Sequence, residues 1–282
     1  MKRLISILLI LIFIFSACAQ KQVSYTIYTE SSLGEDDSLA SDVKENVSFG
    51  RLNERDFNFV TETEVTNNKA PSKKEVNIGQ NNFSMALKKS YTTAISECEN
   101  EKLAYIGKID RYETVGSGVE AHFRQDTKEL VFFLNYDLEL PDGALTDEEA
   151  RELADKLFIS LYGEDKLKEY THTRISNDNT ENSVTYFRYV HGYETDDTVS
   201  INFNKQGQLY SLNANRMGTF EDAEKSISKS EIEKAVKVLT DTIGDEWAQS
   251  YQYLTIDSTG TYFVVVGALN GDYVKQFYIN IN

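Results

Sequence analysis

The chain has 282 residues, with 45 Asp and Glu against 29 Lys and Arg and a formal net charge of -16. A surface this acidic repels phosphate polymers and anionic headgroups, which excludes nucleic acid as a partner. Hydrophobic residues make up 40% of the chain, enough for a well-packed core, and the length points to two modules.

Lys2 and Arg3 precede an apolar run from Leu4 to Phe15 and the small residues Ser16 and Ala17, directly before Cys18. This is the order of a signal peptide. The run is too short for a bilayer core, which needs roughly 20 apolar residues, so residues 1–17 are expected to be removed. The cleavage segment resembles the bacterial lipobox, with Phe15 where that motif usually has Leu. The resemblance implies a lipid on Cys18, the first residue of the mature chain, and an extracytoplasmic protein anchored to the cell membrane through it. Two or three acyl chains on one cysteine hold firmly where a single chain does not. Losing Lys2 and Arg3, with no acidic residue, takes the formal charge from -16 to -18. Cys98 is the other cysteine, so no intramolecular disulfide forms and the fold depends on its core.

Residues 18–74 are polar and acidic, with loop-like stretches at Gly34–Asp37 and Thr66–Lys74 and only short alternating runs such as Val23–Tyr28. They read as a polar stalk or loosely ordered arm. Phe83–Cys98 carries both helical and alternating apolar spacing and leans towards a strand. Val119–Phe123 and Val199–Phe203 alternate apolar and polar residues, meet polar turns at Arg124–Lys128 and Asn204–Gly207, and resume at Leu130–Leu134 and Leu209–Leu212. Each is a strand, a hairpin and a strand. Gly116-Ser117-Gly118 reads as a hairpin turn, as does Asn177–Glu181.

Two amphipathic helices stand out. Thr146 with Glu149 forms a capping-box pattern before the stripe Ala150, Leu153, Ala154, Leu157, Phe158 and Leu161, which ends at Gly163. Ser228 with Glu231 repeats the cap, and Ile232, Ala235, Val236, Leu239 and Ile243 repeat the stripe up to Gly244. Thr146 and Ser228 are 82 residues apart, and the upstream Tyr112-Glu113-Thr114 matches Tyr193-Glu194-Thr195 at 81. A period this long describes domain duplication rather than a solenoid. The expected fold is therefore α+β: a duplicated unit of three antiparallel strands and one packed helix, with modules at 75–165 and 166–282 and closing strands at the C-terminus.

Leu145–Leu157, the strands around Tyr186-Phe187, Gly192–Thr195 and Val199–Phe203, and then Ile227–Glu231 and Tyr262-Phe263 resemble PepSY-type modules. The likeness covers roughly residues 145–282, through a capped helix and aromatic strands with no diagnostic catalytic residue. The resemblance implies an extracytoplasmic, non-catalytic module of the kind found in thermolysin-like propeptides and cell-envelope lipoproteins, where such modules restrain or bind enzymes. No protease domain is attached here, so the role implied is action on a separate protein partner.

Catalytic and metal patterns are absent from the sequence. His122, His172 and His191 form no His-Glu-x-x-His, and no second cysteine joins them to make a zinc set. No Gly-x-Ser-x-Gly elbow or phosphate-cradling glycine loop occurs. The Ser-x-x-Lys spacings at Ser41–Lys44 and Ser226–Lys229 are short enough to arise by chance. Asp142, Asp147, Glu148 and Glu149 suit a helix start, and Asn177–Glu181 lacks the spacing of a calcium loop. No cofactor or metal is expected.

Aromatic content is the compositional sign of binding: 17 Tyr and 15 Phe, but only Trp247 among tryptophans. Packing in strands accounts for most of them. Tyrosines on an uncovered sheet face would form a rigid docking surface, and Tyr189, Tyr193 and Glu194 are its candidate partner-binding residues. Tyr193–Asp197 reads as an acidic, solvated turn. The expectation is a lipid-anchored module that binds a protein at the cell envelope. A solute- or cation-binding lipoprotein is the first alternative, and a carboxylate-dependent envelope hydrolase is the second.

Overall fold

The computed structural model describes residues 23–29, 46–51, 60–79, 81–95, 105–116, 118–138, 145–177, 182–204, 206–244, 247–257, 260–271 and 273–281. Residues 1–17, read above as a signal peptide, and Cys18, Cys98 and Asp142 lie outside them. In chain order the elements are β1 (Tyr25–Thr29), β2 (Val47–Arg51), β3 (Val60–Glu64), β4 (Lys73–Ile78), β5 (Asn81–Ile95), β6 (Tyr105–Thr114), β7 (Val119–Arg124) and β8 (Leu130–Asn135). There follow α1 (Asp147–Tyr162), α2 (Glu164–Glu169), β9 (His172–Asn177), β10 (Asn182–Val190), β11 (Tyr193–Phe203) and β12 (Leu209–Asn215). The chain continues through α3 (Ala223–Ser226), α4 (Lys229–Ile243), β13 (Ala248–Ile256), β14 (Tyr262–Asn270) and β15 (Tyr273–Asn280).

These strands form one large mixed sheet in the order β2-β1-β15-β14-β13-β11-β12-β8-β7-β6-β5-β3, with β10 on β11, β9 on β10 and β4 on β5. The molecule is mainly β, which corrects the expected α+β fold of two helix-on-sheet units. The physical reason lies at two joints. Strand β8 pairs with β12 through Leu134↔Ser211 and Phe132↔Asn213, so the two strand triplets share one sheet instead of each closing around its own helix. Strand β11 then meets β13 through one parallel bridge, Thr195↔Leu254, which adds the C-terminal strands. The helices matched at an offset of 82 also serve strands outside the triplets that precede them. Helix α1 packs on β9 and β10, and α4 on β1, β14 and β15. Three strands followed by a helix is thus a sequence pattern and not a packing unit.

Both long helices begin as their sequences dictate. Thr146 and Ser228 accept from the Glu149 and Glu231 amides while those glutamates accept from the cap backbone, which satisfies amides that would otherwise be orphaned. Ala150, Ala154, Leu157 and Phe158 enter one core with Phe133, Val184, Tyr186 and Ile201. Ile232, Ala235, Leu239 and Ile243 enter a second with Ile27, Leu254, Val264 and Phe277. Each fully buried aliphatic or aromatic side chain contributes roughly 1.5–3 kcal/mol.

The residues read as a polar arm supply β1, β2, β3 and the first residues of β4. Tyr25 and Ile27 are buried in the second core, and β1 pairs with β15 through Ile27↔Ile279. Two alternating apolar residues suffice because the sheet provides every other partner. Phe83 lies in a 15-residue strand, β5. The acidic solvated turn expected at Tyr193–Asp197 is likewise corrected: it is the first half of β11, with Thr195 and Asp197 buried. Among the described residues no helix is long and apolar enough to cross a membrane.

Candidate functional site

A groove of about 450 Å³ opens where the β4–β5 turn, α1 and the β11–β12 hairpin converge. Its size falls within the range of small-molecule and peptide side-chain sites. Ile78, Leu153, Leu157, Phe203 and Leu209 supply apolar walls, and all but Leu153 are nearly inaccessible. Asn81, Lys156, Ser160, Gln206 and Gln208 supply the polar lining. Among the described residues no carboxylate lines it, in a chain that is otherwise strongly acidic.

The helical period places Leu153 and Leu157 on one face of α1, with Lys156 and Ser160 beside them towards solvent. The opposite wall is held by buried Asn204. Its side-chain oxygen accepts from the backbone amides of Gln206 and Gln208 at 3.1 and 2.9 Å, and its Nδ2 donates to the side-chain Oε1 of Gln208 at 2.9 Å. An asparagine bonding to amides two and four residues ahead fixes a turn that needs no support from the core. Gly207 completes it at φ +75°, where a Cβ would stand 2.9 Å from Leu153 Cδ1. The hairpin therefore lies against the helix, and the positive φ favours glycine, since any side chain would strain the backbone and displace the tip of Leu153. The result is a preformed apolar slot with amide and hydroxyl groups and the Lys156 ammonium at its mouth, suited to apolar side chains and to the backbone of a bound segment. None of the three histidines lines it, and among the described residues no cluster of His, Cys, Asp or Glu is arranged to hold a metal.

The junction between β11 and β13 carries the strongest electrostatics. Asp196 and Asp197 are consecutive on a strand, so their carboxylates leave on opposite faces. Asp197, fully buried, accepts from Tyr170 Oη at 2.7 Å and the Gly218 amide at 3.0 Å, and pairs with Arg188 Nε at 3.1 Å. Arg188 also binds Glu169, which pairs with Lys166 at 3.1 Å, and Lys166 reaches Glu221 at 2.6 Å. On the other face Asp196 accepts from Arg216 and Thr255, both at 2.7 Å, while Arg216 also donates to the Ile256 carbonyl at 3.0 Å. Arg216 thus ties β11 to β13 beside their one backbone bridge.

Burial pushes the Asp197 carboxyl up, against the opposing pull of Tyr170, Arg188 and the Gly218 amide. Burial pushes Asp196 up as well, opposed by Arg216 and Thr255. Burial draws the Arg188 guanidinium down, but Asp197 and Glu169 more than offset it and keep it protonated. Each carboxylate is engaged by its own cation and faces away from the other. This junction is a structural clamp.

Of the residues singled out by sequence, Tyr193 packs against the second core. Tyr189 stacks on His172 with ring centroids 3.7 Å apart and donates to Glu194 at 3.3 Å, and Glu194 pairs with Arg174 at 3.1 Å. Tyr189 and Glu194 are therefore neighbours at the β9–β10–β11 corner, whereas Tyr193 is directed elsewhere. His122 is enclosed by Tyr91, 2.8 Å away, and Glu120, and His191 contacts the Ile227 carbonyl at 2.8 Å. The groove was missed because its walls come from three separate segments, residues 78–81, 153–160 and 203–209, which are far apart along the chain. Arg188, Arg216 and Tyr170 were missed because sequence shows charge but not pairing. The one available signal was the alternation of Thr195, Asp197, Val199, Ile201 and Phe203, which puts Asp197 on the inward face.

No family model matches the chain, and no curated protein does. Among solved structures the chain is similar to the Bacillus megaterium YpeB C-terminal domain, at 11% identity and a TM-score of 0.34, over 79% of this chain and 84% of that one. Similarity at this level bears on neither activity nor partner.

Proposed function

We propose that the chain is a non-catalytic, lipid-anchored extracytoplasmic protein that binds or restrains a protein partner, such as a protease or wall enzyme, by holding an apolar segment of it in the groove beside α1. The observation that carries this reading is the groove itself: apolar walls, a polar lining of amides, one hydroxyl and the Lys156 ammonium, and no carboxylate among the described residues. Apolar anchors of the partner fill the slot, and Asn81, Gln206 and Gln208 satisfy its backbone, as polar groups around a buried centre do in protein interfaces. The signal-peptide and lipobox pattern before Cys18 supports placement at the membrane, and the PepSY-like sequence pattern supports a restraining role. The opposed directions of Asp196 and Asp197 weigh against that pair working together as a hydrolase would need.

The test is capture of envelope proteins by the full chain in detergent. One partner should be recovered in stoichiometric amount, and it should be lost when the groove is filled by Ser160→Trp, a change at an exposed helix position that leaves the core intact. Recovery of the same partner by the filled variant would refute the groove as the site, and repeated recovery of nothing would refute the reading as a whole.

A further inference from the structure

The face of the C-terminal strands opposite α4 carries a second surface, unconnected with the groove. Three cross-strand rows define it. Tyr251 on β13 lies opposite Gly267 on β14, which lies opposite Gln276 on β15. The next row is Tyr253, Val265 and Tyr278, with Tyr28 of β1 beyond. Side chains in such rows stand about 5 Å apart on one face.

The gap above Gly267 is filled by its neighbour. A Cβ on Gly267 would stand 2.2, 2.3 and 2.6 Å from Cζ, Cε1 and Cε2 of Tyr251. Three ring atoms nearly equidistant from one point means that the face of the ring, not its edge, covers the glycine. The ring therefore crosses β14, and its hydroxyl accepts from Gln276 Nε2 at 2.6 Å. Gln276 Oε1 in turn accepts from Tyr278 Oη at 2.7 Å. Tyr253 lies next to it at 20° to the Tyr251 ring, with centroids 6.4 Å apart. Inner members of this face, Val265 and Tyr278, are buried, while Tyr251 and Leu269 are 41% and 37% exposed. One side of the Tyr251 ring lies on backbone and the other is open to solvent.

We infer that this Tyr251–Gly267–Gln276 platform binds a neutral β-1,4-linked glycan. A pyranose with equatorial substituents has a flat face of C–H bonds that stacks on an aromatic ring, and its rim of hydroxyls needs neutral donors and acceptors, as the Gln276 amide and the tyrosine hydroxyls provide. Tyr251, Tyr253, Leu269, Gln276 and Tyr278 carry no formal charge at neutral pH, and the net charge of -16 disfavours an anionic polymer. The near-parallel second ring extends the strip along a chain of sugars. The exposed apolar area, one ring and Leu269, is small for a protein interface, which needs a larger continuous patch. With the groove engaging a partner, the platform would place that partner on a glycan.

The test is calorimetric titration of the full chain with chitohexaose and, separately, cellohexaose. Saturable binding of at least one is expected, weakened about tenfold or more by Tyr251→Ala, which is a loss typical of an interface anchor. Tyr251→Phe keeps the ring and should retain most of the affinity. Gly267→Ala displaces the ring and should weaken binding, with unchanged thermal unfolding of the Tyr251→Ala protein ruling out a general defect. No binding of either sugar, or binding that survives Tyr251→Ala, overturns the inference. So does a dimer in solution that Tyr251→Ala dissociates, since the face would then be a self-interface. Capture of the groove's protein partner is expected to be unaffected by Tyr251→Ala, so failure of one reading is separable from failure of the other.

Discussion

Replacing Asp197 by Ala tests whether the β11 junction is a clamp. Asp197 is fully buried, and the Arg188 side chain is only 10% exposed. The substitution leaves the Tyr170 hydroxyl and the Gly218 amide without their acceptor and leaves Arg188 with Glu169 alone. Removing one partner of a buried ion pair costs about 3–5 kcal/mol, because the remaining charge stays desolvated and uncompensated. Replacing both partners by apolar groups of similar size removes that charge as well. The double variant Arg188→Met, Asp197→Leu should therefore lose clearly less than Asp197→Ala, despite carrying one more substitution. Urea unfolding of wild type, Asp197→Ala, Arg188→Met and the double variant gives the coupling directly. A loss below about 1 kcal/mol for Asp197→Ala, in the range of an exposed pair, would refute the assignment.

Other outcomes follow from single contacts. Leu239→Ala removes a fully buried side chain from the second core and should cost about 2–5 kcal/mol in urea unfolding. Gly207→Val combines a disfavoured φ with collision against Leu153, and should lower the melting temperature and abolish partner capture together. The cap glutamates give a pH dependence. Backbone and side-chain hydrogen bonds at Thr146 and Ser228 hold Glu149 and Glu231 below the ordinary 4.5. A depressed carboxyl pKa contributes stability that is present above the unfolded value and lost as pH falls through the folded one. The contribution of the caps should therefore fade on acidification below about pH 4.5, so the thermal destabilisation caused by Ser228→Ala, about 1 kcal/mol near neutrality, should shrink relative to wild type as the pH is lowered through that range. Cys18→Ala should move the protein from the membrane fraction to the soluble extracytoplasmic fraction, as read by fractionation and immunoblotting.

Local order was legible where one short segment contains its own cause. The two capping boxes, the helical stripes and the β7–β8 and β11–β12 hairpins follow from residues within a few positions of each other. Association of those pieces was not. Nothing in Leu130–Asn135 shows that β8 will pair with β12 rather than end its sheet, and that pairing turns two expected units into one mixed sheet. Tyr25 and Ile27 looked too sparse to hold an arm in place, because the apolar partners that bury them lie at the far end of the chain. Asp196 and Asp197 looked solvated because an acidic doublet usually is, and only the arrival of Arg188, Arg216 and Tyr170 makes burial tolerable. The groove is a product of the same long-range assembly, with its apolar members indistinguishable in sequence from ordinary core.

The most direct test of the binding role is a photoactivatable crosslinker at Ser160, on the polar side of the groove, in living cells. Irradiation followed by mass spectrometry should give one dominant protein adduct joined through an apolar segment, and the same crosslinker at exposed Lys237 on α4 should not give it. No adduct at Ser160, or the same adducts from both positions, would contradict the groove as a partner site.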